Sequence, residues 1–238
     1  MTRTFGRLCG VAVMCLALLA VAGCGSSKKS SSSSSSSTSA STGGTLTMLT
    51  NGDVDDKLDP GYSYYQLDFI YTNSTQRAVL GNKPEDTTKA SPDFAASYPT
   101  VSSDGKTVTV KLRSGVKFSP PVNRAATSAD VKYAIERDFL PQVGNGYAGA
   151  YWGDIQGVKA YQAGKAKDIA GIQTPDPQTL VVKLDRPTAA VVIAAMSLPG
   201  AAPVPKERAS RKSGNAGSSG ASVAGSADLS PAAFIPRP

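Results

Sequence analysis

Apolar and polar positions between residues 43 and 205 form short runs whose period switches between two and about 3.6. Thr45-Leu46-Thr47-Met48-Leu49-Thr50 alternates and predicts a strand. Residues 51–61 follow as an acidic loop closing on the turn signal Leu58-Asp59-Pro60-Gly61. Residues 66–80 predict a helix with Leu67, Ile70, Tyr71, Ala78 and Val79 as its apolar face. An Asp104-Gly105 turn between residues 98–101 and the alternating residues 107–112 predicts a hairpin. Residues 115–118 add a short strand.

Thr127-Ser128-Ala129-Asp130 has the form of a capping box. Val131, Ala134, Ile135 and Phe139 then recur at helical spacing until Pro141. Residues 155–163 predict a second helix ending at Gly164, and residues 172–174 and 179–184 a second hairpin around Pro175-Asp176-Pro177. Residues 189–198 predict an apolar helix stopped by Pro199-Gly200. Strands and helices mix without regular alternation, so the class is α+β or α/β.

Neither end carries such a pattern. Arg3 and Arg7 precede an uncharged, mostly apolar stretch at residues 8–22, shorter than the ~20 residues that span a bilayer. Basic start, apolar run and small residues read as a cleaved secretory signal over residues 1–23. Val21-Ala22-Gly23-Cys24 resembles a bacterial lipobox, which makes Cys24 the lipidation site, bearing a diacylglycerol thioether and fatty acids such as palmitate. A plain signal peptide or N-terminal anchor with a chance cysteine is the alternative. Residues 24–42, with serine unbroken from 30 to 37, cannot bury apolar area and read as a disordered tether of ~25 Å root-mean-square span. Residues 208–238 lose all periodicity and read as a disordered basic tail, or as an out-of-frame translation of GC-rich DNA.

Composition changes this picture in two ways. The 238-residue chain has no histidine, which excludes Ser-His-Asp and Cys-His nucleophile pairs, imidazole acid–base chemistry and His-ligated zinc. Its three cysteines, Cys9, Cys15 and Cys24, all fall in the signal and its cleavage site, so the mature chain would hold no disulfide. The net charge of +7 suggests nucleic acid at first sight. It resides, however, in Arg3, Arg7, Lys28, Lys29 and residues 206–238, while residues 43–205 carry equal numbers of acidic and basic side chains. No nucleic-acid partner is expected. Lys28 and Lys29 would each add about 1 kcal/mol of attraction to anionic headgroups.

Candidate chemistry is sparse. No Gly-rich phosphate loop is present. Asp53-Val54-Asp55-Asp56 with Asp59 lacks the spacing, central glycine and closing glutamate of a calcium loop, and reads as an acidic surface loop. Glu136 and Asp138, two apart on a helix, point apart and read as a solvated face. Tyr147, Tyr151 and Trp152 lie in what reads as a Gly-rich loop; they either line a ligand cleft or, for Trp152, pack into the core as the loop's hinge. No catalytic residue, metal site or cofactor is expected.

Four ordered stretches carry a family resemblance. They are Gly43-Gly44-Thr45-Leu46 with Leu58-Asp59-Pro60, Ser102 through Phe118, Thr127 through Arg137, and Thr179 through Leu184 with Ala202-Pro203-Val204-Pro205-Lys206. Over residues 43–207 the chain resembles family 5 of the bacterial extracellular solute-binding proteins, the peptide- and nickel-binding components of ABC importers. The resemblance implies an α/β fold: the N-terminal portion of a two-lobed, type II periplasmic-binding-protein-like architecture, with first lobe and inserted subdomain present and the second lobe missing.

It also implies a non-enzymatic, extracytoplasmic lipoprotein on the cell surface or in the periplasm. Its partners would be a peptide or similar small solute, the permease subunits of an ABC importer, and the membrane through the N-terminal lipid; the protein itself would be a monomer. With one wall of the site lacking, binding is expected to be weak or absent. The alternatives are a frameshifted, non-functional fragment and a surface lipoprotein used as an interaction module. Candidate ligand contacts are Val54, Asp55, Tyr147, Tyr151 and Trp152.

Overall fold

A computed structural model describes residues 47, 49, 59–83 and 85–209. The chain divides into the units Met1–Met48 and Leu49–Pro238, and the fold below is that of the second. The expected signal (1–23) and tether (24–42) lie outside the described residues, as do residues 210–238 of the expected tail (208–238), whose first two residues end a helix, and most of the expected strand at residues 45–50. Thr47 and Leu49 within it are not in a strand.

Four antiparallel strands in the order β3-β4-β6-β5 form the main sheet: β3 (Thr100–Val101), β4 (Thr107–Lys111), β5 (Ile172–Asp176) and β6 (Thr179–Lys183). In the two central strands Val108 stands opposite Val182 and Val110 opposite Leu180. All four side chains are fully buried, so alternation puts one apolar row of each strand on a single face. The expected hairpins thus form. In the first, a five-residue loop replaces a tight turn: Gly105 alone takes positive φ (+68°), and Asp104 accepts hydrogen bonds from Ser102 Oγ (2.5 Å) and the Lys106 N–H (3.0 Å). Residues 115–118 give only the isolated bridge between Lys117 and Ala125.

Helix α2 (Ser128–Arg137) packs on β5 and β6. Its capping box is present, with Asp130 Oδ2 accepting from the Thr127 N–H (2.8 Å) and hydroxyl (3.0 Å). Ser128 fixes the helix start to the second hairpin by donating its N–H to Pro177 O (2.8 Å) and its hydroxyl to Asp176 O (2.6 Å). Val131, Ala134 and Ile135 are buried as the periodicity required; Phe139 lies past the helix end and is half-buried.

Helix α1 (Gln66–Thr75) is shorter than predicted, and its buried residues are Asp68 and Thr72 while Ile70 is exposed. Thr72, Ser74 and Thr75 bond back to carbonyls four residues earlier, and Gln76 turns extended. Ala78 and Val79 are buried outside the helix, and Leu80 opens a two-stranded sheet, β1 (Leu80–Lys83) with β2 (Asp86–Pro92). The Leu80 N–H bonds to Met196 O (3.0 Å), and the Phe94 N–H to Ala78 O (3.1 Å).

Three shorter helices complete the ordered path: α3 (Ala148–Trp152), α4 (Val158–Gln162) and α5 (Ala189–Ala195). A 3₁₀ turn at Pro199–Ala201 and α6 (Lys206–Ala209) follow. Residues 148–152, expected as loop, are therefore helical. The predicted helix at 155–163 begins three residues later because Ile155 bridges Leu184 instead. Phe94, Phe118, Ile135, Trp152, Leu180 and Met196 fill one continuous core. Among the described residues no helix is long and apolar enough to cross a membrane.

Candidate ligand cleft

Asp59, expected in a surface acidic loop, is buried, and so is Arg137 at the end of α2. Arg137 Nη1 donates to Asp59 Oδ1 at 2.8 Å and Nη2 donates to Oδ2, a bidentate pair with both side chains 2% exposed. Burial works against the charge on Arg137, but the Asp59 carboxylate outweighs it and holds the guanidinium pKa above its usual value. The same Asp59 organises the turn after it. Its carbonyl accepts from the N–H groups of Tyr62 and Ser63 (both 2.9 Å), and Oδ1 accepts from Gly61 (2.9 Å). The turn delivers Tyr64 and Tyr65 to the surface, where both are exposed.

Asp138 follows Arg137 as the C-cap of α2 and is also buried. Its Oδ2 accepts a hydrogen bond from Trp152 Nε1 at 3.1 Å. Oδ1 has no hydrogen-bond partner. Desolvation raises the Asp138 pKa well above the normal carboxyl range; Trp152, Arg137 and the Asn145 amide pull it back only in part. Glu136 is half-buried, accepts the Ile169 N–H (2.9 Å), and has a pKa raised by burial. Neither carboxylate belongs to a solvated face: Asp138 sits at the cap under the turn from Asp59, and Glu136 is covered by the strand-leading segment at Ile169.

A cavity of about 240 Å³ opens beside Asp138. Tyr64, Phe69, Tyr147, Tyr151 and Trp152 supply aromatic walls, and Pro60, Leu198, Pro199 and Gly200 close the rest with Ser63 and Asn145. Tyr64 and Tyr147 stack at 5.3 Å and 15°, and Tyr147 meets Tyr151 at 6.0 Å. A second depression of about 400 Å³ continues over Tyr62, Tyr65 and residues 144–146. Gly144 turns the chain with φ +74°, and the Tyr147 N–H caps back onto Asn145 Oδ1 at 2.9 Å.

Tyr147, Tyr151 and Trp152 thus come together, on and before α3. Trp152 is 2% exposed and packs in the core, and it also lines this cavity. Cys24, Val54 and Asp55 lie outside the described residues. Sequence reading missed Tyr64, Asp138 and the Pro199-Gly200 wall as cavity residues; the two-residue step from Glu136 was the one signal at Asp138. Among the described residues no group of three or more acidic, cysteine or histidine side chains could hold a metal.

The bacterial extracellular solute-binding proteins, family 5 (middle) model matches residues 89–226. No match was found among curated proteins. Solved structures share the fold. One is Listeria monocytogenes OppA bound to peptide: 25% identity, TM-score 0.55, 63% of this chain and 29% of that one covered. Another is the pheromone receptor PrgZ, with 26% identity and TM-score 0.58 over 67% of this chain and 31% of that one. A third is clavulanic acid biosynthesis oligopeptide binding protein 2, with 27% identity and TM-score 0.56 over 65% and 29%. The chain spans about 30% of the length of these structures. The mixed helix–sheet fold, its match to part of a two-lobed binding protein and a family model covering more than half the sequence agree: the chain belongs to family 5 of the bacterial extracellular solute-binding proteins.

Proposed function

We propose that the chain is the peptide-facing, membrane-anchored extracytoplasmic part of a substrate-binding component for an ABC importer. Its ligand-contacting wall runs along Tyr64, Tyr147, Tyr151 and Trp152. Val54 and Asp55 are further candidate ligand contacts in this reading, and Cys24 carries the lipid. The observation behind this reading is the aromatic cavity beside the Asp59–Arg137 pair, which gives rigid apolar faces with a few polar groups for orientation. Peptide binding by Listeria monocytogenes OppA, a fold relative, supports the ligand class. The cavity of about 240 Å³ is below the ~300–1,000 Å³ of a typical small-molecule site. It takes roughly one side chain, so the affinity of these residues alone is weak.

Trp152 is the sole tryptophan, so its fluorescence reports this wall selectively. Titration with trialanine and longer alanine peptides is expected to give a saturable change in the high-micromolar to millimolar range. A flat trace to 10 mM would sink the peptide reading. Mass spectrometry of the mature protein checks the anchor: an unmodified Cys24, or an intact signal, overturns it.

A further inference from the structure

We propose that Tyr64 and Tyr147 are a modification site, at which a haem peroxidase fed with hydrogen peroxide couples the two phenols into a dityrosine crosslink. The inference is independent of any ligand of the cavity. It begins from the placement of the rings. Tyr64, on the turn after Asp59, and Tyr147, just ahead of α3, come from distant parts of the chain, yet their rings stack at 5.3 Å with planes 15° apart. Near-parallel rings at that separation are offset, so their edges approach each other. The hydroxyl ends are together: Tyr64 holds the Tyr147 phenol proton and raises its pKa. The ring carbons flanking the two hydroxyls therefore adjoin.

Both rings are open to an oxidant, Tyr64 being 55% and Tyr147 42% exposed. The other tyrosines are less well placed. Tyr65 meets Tyr64 edge to face at 73°, and Tyr151 is half-buried and lies 6.0 Å from Tyr147. Tyr98 is 52% exposed but lines a separate groove that holds no second aromatic ring. Side chains that would consume an oxidant first are shielded. Among the described residues there is no cysteine, and the one methionine, Met196, and the one tryptophan, Trp152, are buried.

In the reaction each tyrosine gives one electron and its phenol proton to the peroxidase, and the two radicals form a carbon–carbon bond between positions flanking the hydroxyls. Each bonded carbon then passes its hydrogen to its own phenol oxygen as the ring regains aromaticity. Hydrogen peroxide takes up both electrons and both protons and leaves as two waters. A Cβ at Gly146 or Gly149 would meet nothing within 4 Å, so the Tyr147 segment has open space in which to close the gap between the rings. The bond ties the turn at Tyr64 to the segment before α3. Joining residues so distant in sequence restricts the unfolded chain as a disulfide does, in a family of extracellular proteins where disulfides are the usual staple.

The experiment treats the full chain with hydrogen peroxide and a haem peroxidase, digests it and maps the joined fragments by mass spectrometry. An equal mixture of isotopically light and heavy protein separates bonds within one chain from bonds between chains. The expected product is a within-chain pair, the fragments bearing Tyr64 and Tyr147 less two hydrogens, at least tenfold above any pair containing Tyr98. Tyr64→Phe or Tyr147→Phe is expected to abolish it, and Tyr65→Phe or Tyr151→Phe to leave it. The crosslinked chain is expected to unfold at higher urea than the untreated one. A yield no higher than that of Tyr98 pairs, bonds only between chains, or survival of the product in a folded Tyr64→Phe or Tyr147→Phe variant overturns the proposal. So does an equal yield when oxidation is carried out in unfolding urea, since the folded geometry would then direct nothing. Should the variants fail to fold, the wild-type fragment map and its urea comparison decide alone.

Discussion

Arg137 and Asp59 are separated by 78 positions in sequence and joined by two hydrogen bonds, with both side chains out of solvent. The pair ties the end of α2 to the turn that carries Tyr64. Removing one member leaves the other buried and uncompensated, a loss of about 3–5 kcal/mol. Asp59→Ala is therefore expected to lower urea-unfolding stability by that amount. Replacing both residues with apolar ones of similar size should recover most of it. Equal losses in the single and double variants would contradict the arrangement.

Asp138 gives a pH prediction of definite sign. Its folded pKa is raised by burial above the unfolded value. The stability it contributes is fully present below the unfolded pKa, about 3.9, and is lost as pH rises through the folded pKa. Asp138→Asn cannot take up the charge. Its stability relative to the wild-type protein should therefore rise between pH 4 and pH 8, read by thermal unfolding at both. A falling difference would mean that Arg137, Asn145 and Trp152 together outweigh desolvation.

Trp152→Phe keeps the aromatic volume but removes the indole donor to the buried Asp138 Oδ2. The expected cost is about 1–3 kcal/mol. It should shrink in an Asp138→Ala background, and a double-mutant cycle in urea measures the coupling. Zero coupling would show that Trp152 acts through packing alone.

Two glycines separate steric from conformational cost. A Cβ at Gly171 would meet Gln156 O at 2.7 Å, and Gln156 N and Lys183 O at 2.8 Å, all backbone. Gly171→Ala should cost about 1–3 kcal/mol or more through overpacking. Gly115 has φ +77° and nothing within 4 Å, so Gly115→Ala should lose only the left-handed backbone penalty, roughly 1–2 kcal/mol. Thermal unfolding of the two variants, with the larger loss at Gly171, checks the assignment.

What could be read from the sequence was local. Thr127 and Asp130 announce the start of α2 because their bonds lie within one turn, and Asp104-Gly105 announces its loop for the same reason. The β1–β2 hairpin was not legible. Leu80-Gly81-Asn82-Lys83 has no alternation, and its placement comes from Leu80 bonding to Met196, more than a hundred residues away. Helix α1 was overextended because its buried positions are polar, so a hydrophobic period could not find them. At α3, Gly149 and Gly153 masked the four-residue spacing of Ala148 and Trp152, both buried. Of the cleft, the aromatic cluster at Tyr147, Tyr151 and Trp152 was legible, whereas Tyr64 and Asp138 depend on an ion pair that composition cannot reveal.

The cavity wall is drawn from three stretches, around residues 60–69, 138–152 and 198–200. No two of them are neighbours in sequence, so the cavity has high contact order and forms only once those distant segments have docked. A ligand held there favours the assembled chain over every partly assembled one by mass action. Trp152, as the chain's only indole and a member of that wall, makes the completion of folding, and any ligand capture there, observable in the same signal.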